Sequence, residues 1–391
     1  MQKSKLTLLI YMAADNSLKN AALQDLESIR SSTISGEIEI VVQLEKEMDS
    51  FAVHPLLGSF ESFRYHFKEG KESLVKELGP VNSGDPEILK AFIEESAQAY
   101  PSEKLMLIIG SHGTGIDDQD VYDSMEKDTF LGLERSNFFI DIPKIDELNI
   151  IGIAYDESAK DFIDNVELKK ALDVSVHIDV LGFDACQMGM FEVAYQIRNQ
   201  ADVLVFSEYV EPAHGWDYAQ IVEHLTIGAE AEKMAEELVG FYANSTEHHK
   251  EDLTLSAVKQ NQVEQVAQDL DAFAEALLKN VKDKKELKYK FLSSQLFGRS
   301  DYVDLIDFLK NIEHSLKIYA LEPYIKKLLN LLDNLILANY TKGHIMRGAN
   351  GVAIYFPSEK SPNKETFEMY EKLDFSKDYP NWIALIKWYY S

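Results

Sequence analysis

His177-Ile178-Asp179-Val180-Leu181-Gly182-Phe183-Asp184-Ala185-Cys186 is an apolar run of strand length that gives way at its far end to Asp184 and to Cys186, the single cysteine in 391 residues. A run this short, with no polar residue from Val180 to Phe183, reads as a buried strand. Leu105-Met106-Leu107-Ile108-Ile109-Gly110 has the same character and runs into Ser111-His112-Gly113-Thr114-Gly115. Val203-Leu204-Val205-Phe206 runs into Ser207-Glu208. Three strands therefore end in polar residues. Upstream, the strand at residues 6–12 is followed by Asp15-Asn16-Ser17, which can cap a helix to about Ser28. Residues 38–44 read as another strand and 51–67 as an irregular hairpin; 85–99 and 166–172 read as helices, and 188–198 has helical spacing. Alternation of strand and helix implies right-handed crossovers and an α/β fold with a mainly parallel sheet, whose ligands bind beyond the carboxyl ends of the strands. His112, Asp184, Cys186, Ser207 and Glu208 would then share one edge.

Beyond residue 250 the pattern changes. Residues 253–258 form a strand, 260–278 a long amphipathic helix, and 302–312 and 319–338 further helices; 351–356 return to strand character and 382–390 close with an aromatic helix. No internal repeat or low-complexity linker separates this region from the first, so the two are expected to pack together. Between residues 117 and 150 lies a stretch rich in Asp, Glu, Ser and Asn, longer than an ordinary connection. It contains Lys127, Arg135 and Lys144.

The bulk numbers exclude several classes. A formal charge of -27 disfavours nucleic-acid binding and favours a soluble surface that attracts cations. One cysteine rules out an intramolecular disulfide framework and multi-thiolate metal sites. No stretch reaches the ~18 to 20 apolar residues of a membrane span, and residues 1–12 lack the form of a signal peptide, so the chain as written reads as leaderless and cytoplasmic.

A lone cysteine is often an inert small hydrophobe. Here its position at a strand exit, with a histidine at a neighbouring exit, points to nucleophilic acyl transfer: the Cys186 thiolate attacks a carbonyl while His112 manages the proton. The backbone N–H groups of Gly113 and Cys186 could then receive the oxyanion. Among ten histidines, His214, in Glu211-Pro212-Ala213-His214-Gly215-Trp216, is the competitor for the base.

These segments, together with Tyr11-Met12-Ala13-Ala14-Asp15-Asn16-Ser17-Leu18 and the late strand before Pro357, resemble the clostripain family of cysteine endopeptidases, relatives of caspases, gingipains and legumain. The resemblance implies a caspase-like three-layer α/β/α sandwich over residues 1–255, with residues 256–391 as a mostly helical C-terminal subdomain packed on it. It also implies a His112 and Cys186 dyad, cleavage of peptides or proteins after Arg or Lys, and Asp184 at the base of the pocket for that side chain, with Ser207 and Glu208 beside it on the substrate side. Self-cleavage between residues 117 and 150, after Lys127, Arg135 or Lys144, belongs to the same implication. No cofactor is expected to be required; some relatives use calcium, for which the sequence offers no assigned ligands and no EF-hand loop. Relatives are frequently exported, and Ile116 stands where the family commonly has Trp. The rival readings are a non-catalytic caspase-like module whose acidic rim holds a basic partner, and a cysteine-dependent amidase. The sequence does not fix the oligomeric state.

Overall fold

The computed structural model describes residues 3–48, 60–115, 152–245, 252–297, 301–316, 318–356 and 364–391. Lys127, Arg135, Lys144 and Ile116 lie outside the described residues. Strand β1 (Ser4–Met12) is paired in parallel with both β2 (Ile38–Glu47) and β5 (Ser102–Gly110), so that Leu8 stands opposite Ile40 on one side and Met106 on the other. Strand β8 (Ile178–Asp184) joins β5 in parallel, and β9 (Ala201–Phe206) joins β8, giving a five-stranded parallel centre. Two antiparallel hairpin-like additions flank it. Strands β3 (Phe60–Lys68) and β4 (Lys71–Gly79) continue from β2, while β10 (Leu253–Lys259) and β13 (Ile336–Lys342) continue from β9. The order is β13-β10-β9-β8-β5-β1-β2-β3-β4. A short hairpin, β6 (Gly152–Asp156) with β7 (Asp161–Asp164), and a small sheet of β11 (Leu296–Phe297), β12 (Tyr302–Asp304) and β14 (Ala353–Tyr355) complete the strands among the described residues.

Continuous apolar runs in the central strands follow from burial on both faces. With side chains alternating at period two, Leu9, Tyr11, Leu107, Ile109, Leu181 and Phe183 enter one core, and Leu8, Ile10, Met106, Ile108, Val180 and Val205 enter the other. The first core is covered by α2 (Pro86–Ala99), α3 (Asn165–Ala171), α4 (Phe191–Gln196) and α7 (Val263–Asn280), with α10 (Glu322–Leu335) and α13 (Pro380–Tyr390) packed against α7. The second is covered by α1 (Lys19–Ser31), α5 (Tyr218–His224) and α6 (Ala231–Asn244). This is the expected three-layer α/β sandwich. Local signals set the helix starts: Asp85 accepts the Glu87 N–H ahead of Pro86, and Asp164 and Glu167 form a reciprocal capping box at α3.

Several elements differ from the sequence reading. The first hairpin is β3 and β4, turning at Glu69 and Gly70, whose positive φ values make the tight reversal. Strand β4 is charged and largely exposed on both faces, so it carries no alternation to read. The helix expected over 319–338 ends at Leu335, where Ile336 begins β13 and pairing with β10 takes over the backbone hydrogen bonds. Residues 302–304 are strand, not helix. The main sheet also runs across residue 255, since β10 straddles it and β13 supplies an edge, so the C-terminal region completes the sheet as well as covering it.

Gly182 sits in mid-strand for a steric reason. A Cβ there would lie 2.8 Å from the Trp216 ring. Gly182→Ala is expected to destabilise the fold by about 1–3 kcal/mol through overpacking. Urea unfolding followed by circular dichroism should show a lower midpoint with an unchanged slope, and an unchanged midpoint would refute the packing argument.

Candidate active site

The β5 and β8 ladder ends on the pair Gly110 and Asp184, and the Ser111 N–H still donates to the Asp184 carbonyl. His112 and Cys186 are each two residues beyond that last pair. Both line one pocket at the carboxyl end of the sheet, together with Asp25, Asp184, Glu211, Gly215 and Tyr218. His214, the competing histidine, does not line it.

The two exit loops press against each other. A Cβ on Gly113 would come within 2.7 Å of the Cys186 carbonyl oxygen and 2.9 Å of the Ala185 Cβ, so only glycine allows this approach. Gln187 then adopts a left-handed conformation, φ 56°, and its N–H donates to the Tyr209 carbonyl, which turns the chain sharply after the thiol. The Cys186 Sγ accepts the Glu211 N–H at 3.3 Å. Protein crowds the half-buried thiol enough to push its pKa up to about 12, chiefly by desolvation; the Glu211 N–H works against that rise, while the Glu211 and Asp184 acids add to it. Burial likewise lowers His112 to about 4. In this state thiol and imidazole are both neutral. The His112 Nε2 lies 2.9 Å from the Ser17 Oγ.

Three acids from three elements meet at the pocket. Asp184, at the end of β8, accepts from the Trp216 N–H at 3.2 Å and the Tyr218 hydroxyl at 2.9 Å. Glu211 is buried and accepts from the Trp216 indole N–H at 3.1 Å; desolvation and the neighbouring Asp184 raise its pKa well above the carboxylate range, which favours its protonated form. Asp25 comes from α1, on the same face as Ala21 and Ala22. The open volume between these walls is about 50 Å³, against ~300–1,000 Å³ for typical ligand pockets, so the pocket is narrow for a long side chain. Gly215 has φ 56°, and a Cβ there would meet the Asp184 carboxylate at 2.6 Å.

Ser207 and Glu208 are not in the pocket. Ser207 is fully buried and its hydroxyl is 2.8 Å from the Thr254 Oγ1. Glu208 accepts the Gly351 N–H at 2.8 Å, and desolvation with the neighbouring buried Asp304 raises its pKa well above the carboxylate range. Their strand does exit at the rim, but the C-terminal region covers that exit. The sequence reading in turn missed Ser17, Asp25 and Glu211: the first looked like a cap, the second like a solvated helix face, and only the Glu211-Pro212 and Gly215-Trp216 segments marked the third. The loop after His112 is tied to the β6 hairpin. Thr114 N–H donates to the Gly152 carbonyl and Gly152 N–H to the Thr114 Oγ1, both at 3.1 Å; the Asn165 side chain bonds the Gly115 carbonyl and the Tyr302 hydroxyl the Thr114 carbonyl. Among the described residues, the one His and carboxylate group spaced to hold a metal is His177, Asp179 and Asp202, at the opposite end of the sheet, and the His177 Nε2 lies within hydrogen-bond distance of the Asp202 carboxylate, at 2.8 Å. No described helix is long and apolar enough to cross a membrane.

Layer order, parallel centre and rim define a caspase-like α/β sandwich with a cysteine and a histidine at neighbouring strand exits. The model of the clostripain family matches residues 10–149 and 145–388, and the chain belongs to that family. It is 26% identical over 285 residues to clostripain of Hathewaya histolytica, an alignment that takes in 66% of this chain and 46% of that protein; the chain thus spans about half the length of that curated relative. Two crystal structures share the fold with a TM-score of 0.68. One is an inactive zymogen C11 protease from Parabacteroides distasonis, at 19% identity over 97% of this chain and 99% of that one. The other is a secreted C11 cysteine protease from Bacteroides thetaiotaomicron in complex with an irreversible peptide inhibitor, at 20% identity over 99% and 100%.

The acids give a pH signature. Glu45, beside the β1 exit, accepts the N–H groups of Ala14 and Asp15 at 3.0 Å, and burial with nearby Asp156 raises it to about 8. Glu192 is raised to about 7. A carboxyl raised in the folded state gives stability that is complete below its ordinary 4.5 and is lost as pH rises through the folded value. His112 has the opposite sense: its contribution is complete above 6.5 and is lost as pH falls toward 4. The thermal midpoint should therefore decline as pH rises from about 5 to about 8, and Glu45→Gln should flatten part of that slope. Scanning calorimetry across this range tests it; a midpoint that rises from 5 to 8 would contradict the assignment.

Proposed function

We propose that the protein is a cysteine endopeptidase that cleaves after Arg or Lys. The observation that carries this reading is the composition of one pocket: Cys186 and His112 line it together with Asp184, Glu211 and Asp25, with no Lys or Arg among its described lining residues. Cationic side chains fit such a pocket by charge-assisted bonds to Asp184, with Glu211 giving up its proton when a cation arrives. Family membership supports the peptidase class, and the zymogen among the structural relatives supports a chain made in a closed form.

In this mechanism His112, neutral near pH 7, takes the Cys186 proton as sulfur attacks the scissile carbonyl carbon. The oxyanion is received by the N–H groups of Gly113 and Cys186. His112 returns the proton to the leaving amine, leaving a thioester; it then deprotonates water, whose attack releases the carboxylic acid and restores the thiol. Cleavage after Lys127, Arg135 or Lys144 is the proposed activation. A binding module that holds a basic partner without cutting it draws on the neutral, crowded thiol. Alkylation separates the two: the activated enzyme should label quickly near neutral pH, whereas a module's thiol should label only on unfolding.

Paired fluorogenic peptides with Arg or Asp at the cleaved position test the main reading. After limited proteolysis the wild type should cut the Arg peptide, Cys186→Ala should lose roughly 10³-fold or more, and Asp184→Asn should lose on the order of 10²-fold on the Arg peptide. Cleavage of neither peptide, or full activity in Cys186→Ala, would end the proposal. Intact mass of wild type against Cys186→Ala over time tests self-processing, with two fragments expected only from the wild type.

A further inference from the structure

We infer that Ser17 is a positioning residue for His112, the third member of the site, whose hydroxyl accepts the Nε2–H and so presents Nδ1 to the Cys186 thiol. The inference rests on the proposed His112 and Cys186 dyad. Its geometric basis is the 2.9 Å separation of the Ser17 Oγ and the His112 Nε2. In a neutral imidazole one nitrogen carries the proton and the other accepts, and the partner of the first decides which is which. A hydroxyl suits both states of the ring. It accepts from Nε2–H when the imidazole is neutral and continues to accept when the imidazolium forms.

The hydroxyl is held in place by more than its own bond. The Ala13 N–H donates to the Gly110 carbonyl at 3.1 Å, which ties the β1 exit to the strand that carries His112. Glu45 takes the next two N–H groups, of Ala14 and Asp15. The Asn16 side chain donates to the carbonyls of Ala13 and Tyr155, at 3.0 and 2.7 Å, and accepts the Leu18 N–H at 2.9 Å. Ser111, next to His112, donates its hydroxyl to the Ala13 carbonyl at 3.2 Å. The segment from Ala13 to Leu18 is thus bonded on both sides of Ser17 while α1 starts immediately after it, and Ser17 itself is only half-buried. The first turn of α1 carries no side-chain cap, and the turn leading into it is held by the Asn16 side chain, so capping does not explain the serine.

A carboxylate in place of the hydroxyl would hold the ring equally well but would favour the imidazolium and raise the pH at which His112 takes up a proton. A hydroxyl leaves the base neutral through the neutral range. The other titratable groups around the same pocket are Asp25 from α1, Asp184 and Cys186 from the β8 exit, Glu211 from the loop after β9 and Tyr218 from α5, and all of these stay in place in the variants.

The test is steady-state kinetics of the full-length, proteolytically activated chain on the Arg peptide, with thermal midpoints measured alongside. Ser17→Ala should lower kcat roughly 10- to 100-fold with KM changed less than about two-fold, since an orienting group acts on the reacting geometry and not on substrate binding. Ser17→Thr, which keeps the hydroxyl, should recover most of the rate. Ser17→Asp should move the acid limb of the kcat/KM profile to higher pH. Wild-type kcat in Ser17→Ala, or equal losses in Ser17→Ala and Ser17→Thr, would overturn the role. His112→Ala in the same assay keeps the two readings apart: if it retains activity the dyad itself fails, whereas an inactive His112→Ala beside a fully active Ser17→Ala removes only Ser17.

Discussion

The close approach of two backbone loops governs this site. Parallel pairing brings β5 and β8 to a common end at Gly110 and Asp184, and beyond that end the absence of a side chain at Gly113 lets the histidine loop lie directly on the Cys186 carbonyl. Two separate strand exits thereby become one surface. The remaining pocket features follow from it: the sharp turn at Gln187, the lie of the 211–216 segment over Asp184, and the β1 exit loop that reaches His112 from the other side.

Much of this was legible in the chain because it rests on local pattern. Buried parallel strands are apolar throughout and stop abruptly, so the exits holding His112 and Cys186 stood out against the polar residues that follow. The same signal misled at Ser207 and Glu208. Their strand ends like the other two, but Thr254, Asp304 and Gly351, each far away in sequence, close over them. Asp25 and Ser17 failed to stand out for the converse reason. A helix-face acid and a serine before a helix have ordinary local explanations, and only tertiary packing brings Asp25 to the pocket and Ser17 to His112. Strand β4, exposed on both faces, had no pattern to find.

Buried carboxyls give the molecule a second character beneath its acidic surface. Glu45, Glu192, Glu208 and Glu211 all sit where desolvation favours the protonated form. A protonated carboxyl donates as well as accepts, which lets Glu211 rest against Asp184 and Glu208 against Asp304 without facing charges. Such pairs are stable only while dry. Desolvation by the surrounding protein raises the half-buried Cys186 thiol in the same direction.

The bonds that join Thr114 to Gly152, with Asn165 and Tyr302 reinforcing the first of these ends, bring the chain back to the point from which it left at Gly115. A backbone break within residues 116–151 would leave the described ends on either side, Thr114 to Gly115 and Gly152, held by these bonds. Folding would change order all the same: an intact chain refolds at a rate independent of concentration, whereas the nicked pair must find each other again. Such a molecule would be durable once assembled and hard to reassemble after a single complete unfolding, so its working life would be set by its unfolding rate.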